Sequence, residues 1–311
     1  MNDSALLSEL APTVETLLDR HLAASKEWFP HELVPWGQAR DFVPGEEWDP
    51  EEYQLPEAVR SALFVNLLTE DNLPYYFDTI DNLFQGEAWR VWARRWTAEE
   101  QRHSIVIRDF LTVTRAVDPV ALERARMHQV SLAVVPQPQT VPDGLIYVAL
   151  QELATRVAHR NTGKAMTGRE ASGSVDELGY QVMARVAADE NLHHLFYRDL
   201  TTAALALDPS SVVLAMERQV RTFEMPGQGI VDFARHAMAV AKAGIYDYLL
   251  HHDQVLVPAV MRQWHLADIE GLNSRAEEAR ARLVRRIERI GAAGRRMIER
   301  QQEQAGALAY A

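Results

Sequence analysis

RWTAEEQRH (95–103) and ADENLH (188–193) carry one constellation twice: Glu100 with His103, and Glu190 with His193, each pair three residues apart. On an α-helix, positions i and i+3 share a face about one turn apart, so a carboxylate and an imidazole so spaced can reach one metal ion. Glu-x-x-His on each of two helices, joined by one Glu from each of two others, is the donor set of carboxylate-bridged two-metal sites inside four-helix bundles. Single glutamates stand at matching places. Glu70 lies 30 residues before Glu100, and Glu152 lies 38 before Glu190.

Either motif alone is weak, because roughly one chance match is expected at this Glu and His content. Yet of the 11 histidines only His103 and His193 have Glu three residues earlier. The bland alternative is a pair of solvated acidic turns, the usual fate of Glu. Periodicity argues against it. Trp96, Glu100, His103, Ile107 and Phe110 form one stripe, as do Val186, Glu190, His193 and Tyr197. A carboxylate centred on an apolar stripe carries a large desolvation cost unless it is paired or metal-bound.

The rest of the chain reads as an all-α protein. At 311 residues one large domain is expected, with residues 1–56 as an N-terminal helix and irregular arm, 57–207 as the bundle, 208–270 as flanking helices and 271–311 as a final helix. Helical patterns cover 4–25, 57–83, 87–116, 119–132, 144–163, 176–207, 210–223, 230–251, 254–267 and 274–303, and Asn161 to Asp176 reads as a glycine-punctuated loop. Asp118-Pro119 and Asp208-Pro209 are cap-plus-first-turn signals. The spacing suits a bundle: 16 residues from Glu70 to Gly86 and 14 from Gly86 to Glu100 return two antiparallel helices to one level. Pro74 interrupts the pattern, but the stripe of Leu63, Leu67, Phe77, Ile80 and Leu83 runs across it, so a kinked continuous helix is expected.

Composition excludes several chemistries. With no cysteine there are no disulfides, thiolate clusters or cysteine nucleophiles. The longest apolar runs, such as Leu145 to Leu150, are far too short to span a membrane, and the N-terminus lacks a signal-peptide pattern. A soluble, cytoplasmic protein is the expectation. A net charge of −12 argues against general nucleic-acid binding. Metal-binding imidazoles usually donate their other nitrogen to a carboxylate, and Glu99 and Asp189, next to the paired glutamates, are the candidates. His194 reads as structural, and the pair His251-His252 as a partly exposed cap.

These residues resemble a family, the soluble acyl-[acyl-carrier-protein] desaturases, and most nearly its actinobacterial branch. The matching pieces are TEDNLPYY (69–76), RWTAEEQRH (95–103), RAVDPVALE (115–123), LQELATR (150–156), HRNTGKA (159–165), ADENLH (188–193) and FEMPG (223–227), in matching order and spacing. The resemblance implies a ferritin-like four-helix bundle holding two iron ions, with Glu70, Glu100, His103, Glu152, Glu190 and His193 as ligands. It places Thr155 beside the oxygen site and implies a ferredoxin as electron donor, an acyl carrier protein bearing the substrate, and a homodimer. Leu153 and Asp71 stand where plant members have Arg and Glu. The family's arm tryptophan falls near Trp36, with a one-residue slip.

Further expectations concern the partner and the substrate. An acidic carrier protein meeting an acidic chain needs a local basic patch. Arg156, Arg160 and Lys164, spaced i, i+4, i+8, are one candidate, and Arg282, Arg285, Arg286 and Arg289 are another. An apolar channel for the acyl chain is expected between the ligand helices, lined from stripes such as Leu67, Ile107 and Val148. The competing readings are an iron-storage or ferroxidase bundle, a radical-generating reductase subunit, for which Tyr75, Tyr76, Tyr147 or Tyr197 could supply the radical, and an inert helical scaffold or degenerate homologue, which would hold no stoichiometric iron.

Overall fold

The computed structural model describes residues 1–309 apart from Gln54, 168–175, Pro226 and Gln228, with backbone alone from 304 onward. The described residues form helices and connecting segments without strands. Four long pieces carry the candidate donors. These are α3 (Glu57–Glu70) continued by α4 (Leu73–Leu83), α5 (Glu87–Thr114), α7 (Val141–Met166) and α8 (Glu177–Leu207). α7 and α8 pack along each other, α3 lies on α5 and α7, and α5 on α8. Around them stand α1 (Asp3–Ala24) and the short α2 (Pro30–Leu33) across α5 and α8, α6 (Pro119–Leu132) against α3, and α9 (Pro209–Thr222) against α7 and α8. α10 (Phe233–Lys242) covers α3, and α11 (Tyr248–His251) runs on as a π-helical stretch (His252–Gln263). α12 (Ser274–Ala309) lies on α9 and α11.

Local chemistry sets most of the ends. Asp118 and Asp208 accept hydrogen bonds from the backbone amides of Val120 and Ser211, opening α6 and α9 with proline in the first turn. Gly86, at φ +128°, turns the chain into α5, a conformation that L side chains rarely adopt. Gly144 lets α7 approach α4 so closely that a Cβ there would meet Leu83 Cδ2 at 2.2 Å.

Buried apolar residues form two clusters with a polar layer between them. Along α5, Trp89, Trp92 and Trp96 belong to the first cluster and Val106 to Val113 to the second; Glu99, Glu100 and His103 lie between. α8 runs the other way, from Val182, Met183 and Val186 in the second cluster to Phe196, Tyr197 and Leu200 in the first, with Asp189, Glu190 and His193 between. Antiparallel packing therefore superimposes two polar turns, and both lie in the bundle interior.

Several expectations are corrected. The kinked helix across Pro74 is two helices: α3 stops at Glu70, Asp71 and Asn72 make a turn, and Pro74 enters the first turn of α4. Proline has no amide hydrogen to offer the Glu70 carbonyl, and the Asn72 amide instead bonds back to Thr69 O. Side chains from α6 secure this break. Arg126 pairs with Asp71 at 2.7 Å, and Gln129 Nε2 donates to Asn72 Oδ1 at 2.9 Å. The expected loop from Asn161 is helical to Met166, and its remainder at 168–175 lies outside the described residues. The expected helix 230–251 is divided at Gly244 (φ +67°), and 254–267 is π-helical before a short 3-10 turn, Leu266–Asp268. His251 and His252 are buried, not exposed caps; the His251 ring stacks on Phe223 and meets the Tyr246 hydroxyl at 2.8 Å. No described helix is long and apolar enough to cross a membrane.

Candidate metal centre

The polar layer collects all six expected donors, every one buried. Their donor atoms converge in two overlapping groups: Glu70, Glu100, His103 and Glu190 in one, Glu100, Glu152, Glu190 and His193 in the other. Each group has one histidine and one terminal glutamate, and the two share Glu100 and Glu190. His103 Nδ1 lies 3.4 Å from Glu100 Oε2, 3.3 Å from Glu190 Oε1 and 3.7 Å from Glu70 Oε2. His193 Nδ1 lies 2.7 Å from Glu100 Oε1 and 3.5 Å from Glu152 Oε2.

Closeness without hydrogen bonding is the informative feature. His103 Nδ1, His193 Nδ1, Glu100 Oε1 and Glu152 Oε2 are buried yet have no hydrogen-bond partner among the described residues, although they crowd one another. Buried polar atoms are normally satisfied. Lone pairs from several groups aimed at common points suit a cation, and carboxylate oxygen with imidazole nitrogen suits iron. These residues therefore fit a metal pair. The electrostatics agree. Burial, then the Glu190 and Glu100 charges, push the Glu152 carboxyl well above its ordinary range, and burial and Glu190 raise Glu100 as well. Burial opposes charge on His103 and His193, but the surrounding carboxylates outweigh it and hold both imidazoles well above their usual pKa. Without a cation, protons are what balance this cluster.

Glu99 meets an outer imidazole nitrogen and Asp189 lies near the other, which has no hydrogen-bond partner among the described residues, and the two are placed crosswise. Glu99 on α5 accepts from His193 Nε2 of α8 at 3.1 Å, while Asp189 on α8 has Oδ2 3.6 Å from His103 Nε2 of α5. With Nε2–H facing Glu99, the neutral His193 tautomer turns its Nδ1 lone pair into the site. A further ring of partners holds these two acids. His21 Nε2 donates to Glu99 Oε2 at 2.8 Å, and Arg95 Nε to Glu99 Oε1 at 2.7 Å. Trp28 Nε1 donates to Asp189 at 2.8 Å, Arg102 does so at 3.2 Å, and Arg185 also binds it. Arg102 lies 4.8 Å over the Trp28 ring. His21, Glu99 and His193 also form a compact donor group, but their contacts are those of a hydrogen-bond chain.

Thr155 Oγ1 donates to Glu190 Oε2 at 2.7 Å, with the Gln151 and Glu152 carbonyls farther away at 3.2 and 3.1 Å. Trp96 Nε1 donates to Glu152 Oε1 at 3.1 Å. His194 is structural as expected: its Nδ1 bonds the Ala149 carbonyl at 2.8 Å, and burial lowers its pKa to about 4.

Sequence reasoning missed His21, Trp28, Trp96 and His159. His159 Nε2 lies 3.0 Å from Glu70 Oε1. A signal for it existed, since Glu152, Thr155 and His159 share one face of a helix. No local pattern pointed to Trp28 or His21. Trp36, nearest the family's arm tryptophan, is 47 % exposed and donates to His31 O, so the indole that reaches Asp189 is that of Trp28.

An apolar slot of about 20 Å³ is lined by Ile80, Leu83, Phe84, Trp96, Tyr147 and Val148 among others. Of the three residues expected to line an acyl channel, Val148 lines this slot. Leu67 and Ile107 do not, because they are packed inside the second apolar cluster. On α7, Arg156 is half-buried, with its pKa lowered by burial and by Arg160, while Arg160 and Lys164 are exposed. Of the alternative basic set, Arg282 is engaged by Glu217 at 3.5 Å and by Glu278 at 3.8 Å.

Comparison with known proteins gives a consistent result. The sequence matches the family described as fatty acid desaturase over residues 2–310. It is 39 % identical over 295 residues to a Mycobacterium tuberculosis protein named as acyl-[acyl-carrier-protein] desaturase DesA1, covering 91 % of this chain and 85 % of that one. It is 27 % identical over 310 residues to the chloroplastic stearoyl-[acyl-carrier-protein] 9-desaturase 2 of rice, covering 94 % and 75 %. The X-ray structure of DesA2 from M. tuberculosis superposes with a TM-score of 0.69 at 28 % identity, covering 88 % of this chain and 99 % of that one.

Proposed function

Since the chain belongs to the fatty acid desaturase family, we propose that it is an acyl-[acyl-carrier-protein] desaturase that inserts a cis double bond at a pair of iron ions. The observation that carries this reading is the sharing of Glu100 and Glu190 between two buried donor groups, each completed by one histidine and one glutamate. In this reading Glu70 and His103 would hold one iron and Glu152 and His193 the other, with Glu100 and Glu190 available to both. Bound there, iron would supply the redox chemistry with O₂ that removing hydrogen from an unactivated methylene pair requires. The balance is two hydrogens from adjacent carbons, O₂, two external electrons and two protons, giving one alkene and two waters.

The chain's own residues do the remaining work. Glu99 and Asp189 orient the imidazoles, and Trp92, Trp96, Phe196 and Tyr197 keep water from one side of the layer. Thr155 holds Glu190 through its hydroxyl and can pass a proton at Oγ1. In this reading the acyl chain enters beside Trp96 and Val148, where the slot of about 20 Å³ has to widen to hold it. The chain has no cysteine, so electrons come from another protein, and a ferredoxin is the donor assigned here. The carrier protein docks on Arg160 and Lys164, which meet no carboxylate among the described residues, with Arg156 behind them. A homodimer and a cytoplasmic location complete the proposal.

The test is product analysis. Reduced, iron-loaded protein given ferredoxin, its reductase and a carrier-bound saturated chain should consume O₂ in step with cis-alkene. Iron oxidation without alkene, or a stable tyrosyl radical as the main outcome, would remove the reading.

A further inference from the structure

Glu70 is the least restrained of the four candidate carboxylate donors. Glu100, Glu152 and Glu190 sit in the middle of long helices, whereas Glu70 is the last residue of α3, followed by a turn and then Pro74. The carbonyl of Glu70 has lost the amide that would continue the helix. Nothing in the backbone beyond it holds the side chain in line with the site, yet its Oε2 points inward, 3.7 Å from His103 Nδ1.

The restraint comes from α7. His159 stands behind Glu70, 1 % exposed, with Nε2 3.0 Å from Glu70 Oε1 and 3.7 Å from Glu190 Oε1. Its Nδ1 is buried without a hydrogen-bond partner among the described residues. The two overlapping donor groups are complete without this ring. It is thus an imidazole in the polar layer with a single hydrogen-bond partner among the described residues, the Oε1 oxygen of the one donor whose helix has ended. We infer that His159 is a positioning residue for Glu70: Nε2–H donates to Oε1, which fixes the carboxylate and leaves Oε2 to face the metals. This rests on the metal-centre reading above. The arrangement parallels Glu99 and Asp189 behind the histidines with the chemistry reversed, an imidazole orienting a carboxylate. Partners of this kind change metal affinity by about 10–100-fold when removed.

The experiment uses full-length protein loaded anaerobically with Fe²⁺ and follows iron release to a coloured chelator. Three substitutions are compared: His159→Leu removes the donor, His159→Gln places an amide N–H near the position of Nε2, and His159→Asn places one near Nδ1. Wild type should hold two irons per chain. In His159→Leu and His159→Asn one of the two should leave at least about tenfold faster, and His159→Gln should stay near wild type. Gln and Asn are alike in polarity, so a loss caused by disturbed folding would appear in both, and equal release from these two overturns the inference. So does wild-type release from His159→Leu. Glu70→Ala supplies a second reading. If His159 acts through Glu70, adding His159→Leu to Glu70→Ala should accelerate release no further, and additive effects would overturn the inference. Wild type that holds no iron pair would instead sink the proposed function itself.

Discussion

Replacing Asp189 by Asn in the metal-free protein should cost about 2 kcal/mol at pH 7. The Asp189 carboxylate is buried and accepts from Trp28, Arg102 and Arg185, with His103 Nε2 3.6 Å away. Burial alone would raise its pKa. The charged His103 outweighs burial, helped by His193 and Trp28, and brings the pKa from 3.8 down to about 2. At about 1.4 kcal/mol per pH unit, that depression is worth about 2 kcal/mol of folding free energy. The sign follows from linkage: a carboxyl whose folded pKa is lowered stabilises fully above its unfolded pKa and loses that contribution as pH falls toward about 2. The gap between wild type and Asp189→Asn should therefore be full at pH 7 and roughly halved at pH 3. Urea unfolding of both metal-free proteins, followed by tryptophan fluorescence, measures it. A gap under about 0.5 kcal/mol at pH 7, or one unchanged at pH 3, would refute the charge-pairing argument.

Four further outcomes follow from the same geometry. His103→Ala and His193→Ala should each lower iron content and abolish turnover while the helical circular dichroism persists; full activity in either would undo the ligand assignment. Thr155→Val keeps shape but deletes the hydroxyl that binds Glu190 at 2.7 Å, so iron should stay bound while O₂ consumption and alkene yield separate, and Thr155→Ser should restore their coupling. Because the metal-free site holds protons on His103, His193 and Glu152, metal uptake should release protons and weaken as pH falls, and a Co²⁺ titration with no proton release contradicts this. Reversing charge at Arg160 and Lys164 should raise KM for the carrier-bound substrate at low salt and lose that effect at high salt; a KM indifferent to both moves the docking surface elsewhere, with the exposed Arg285 and Arg289 next in line.

Spacing along the chain determined which residues share a helix face. Glu100 with His103, Glu190 with His193, and the levels at which Glu70 and Glu152 join them are therefore legible in the amino-acid order itself. Those relations are local, set by 3.6 residues per turn and 1.5 Å per residue. What lies across a helix interface is set by axial offset and rotation between helices, which no single segment encodes. Hence the crossed pairing of Glu99 with His193 and Asp189 with His103, the arrival of His21 and Trp28 from the N-terminal segment, and the placing of His159 behind Glu70 were decided by packing alone. The break at Glu70 shows the same division. The stripe across Pro74 spoke for continuity, but α6 supplies Arg126 and Gln129 to satisfy the turn, and partners brought by the tertiary fold made the shorter helix the stable one. The slot departs from its expected lining for a related reason: Leu67 and Ile107 do face inward, but inward at their level means a packed apolar core, and only the approach of α4 to Gly144 shows where the space lies.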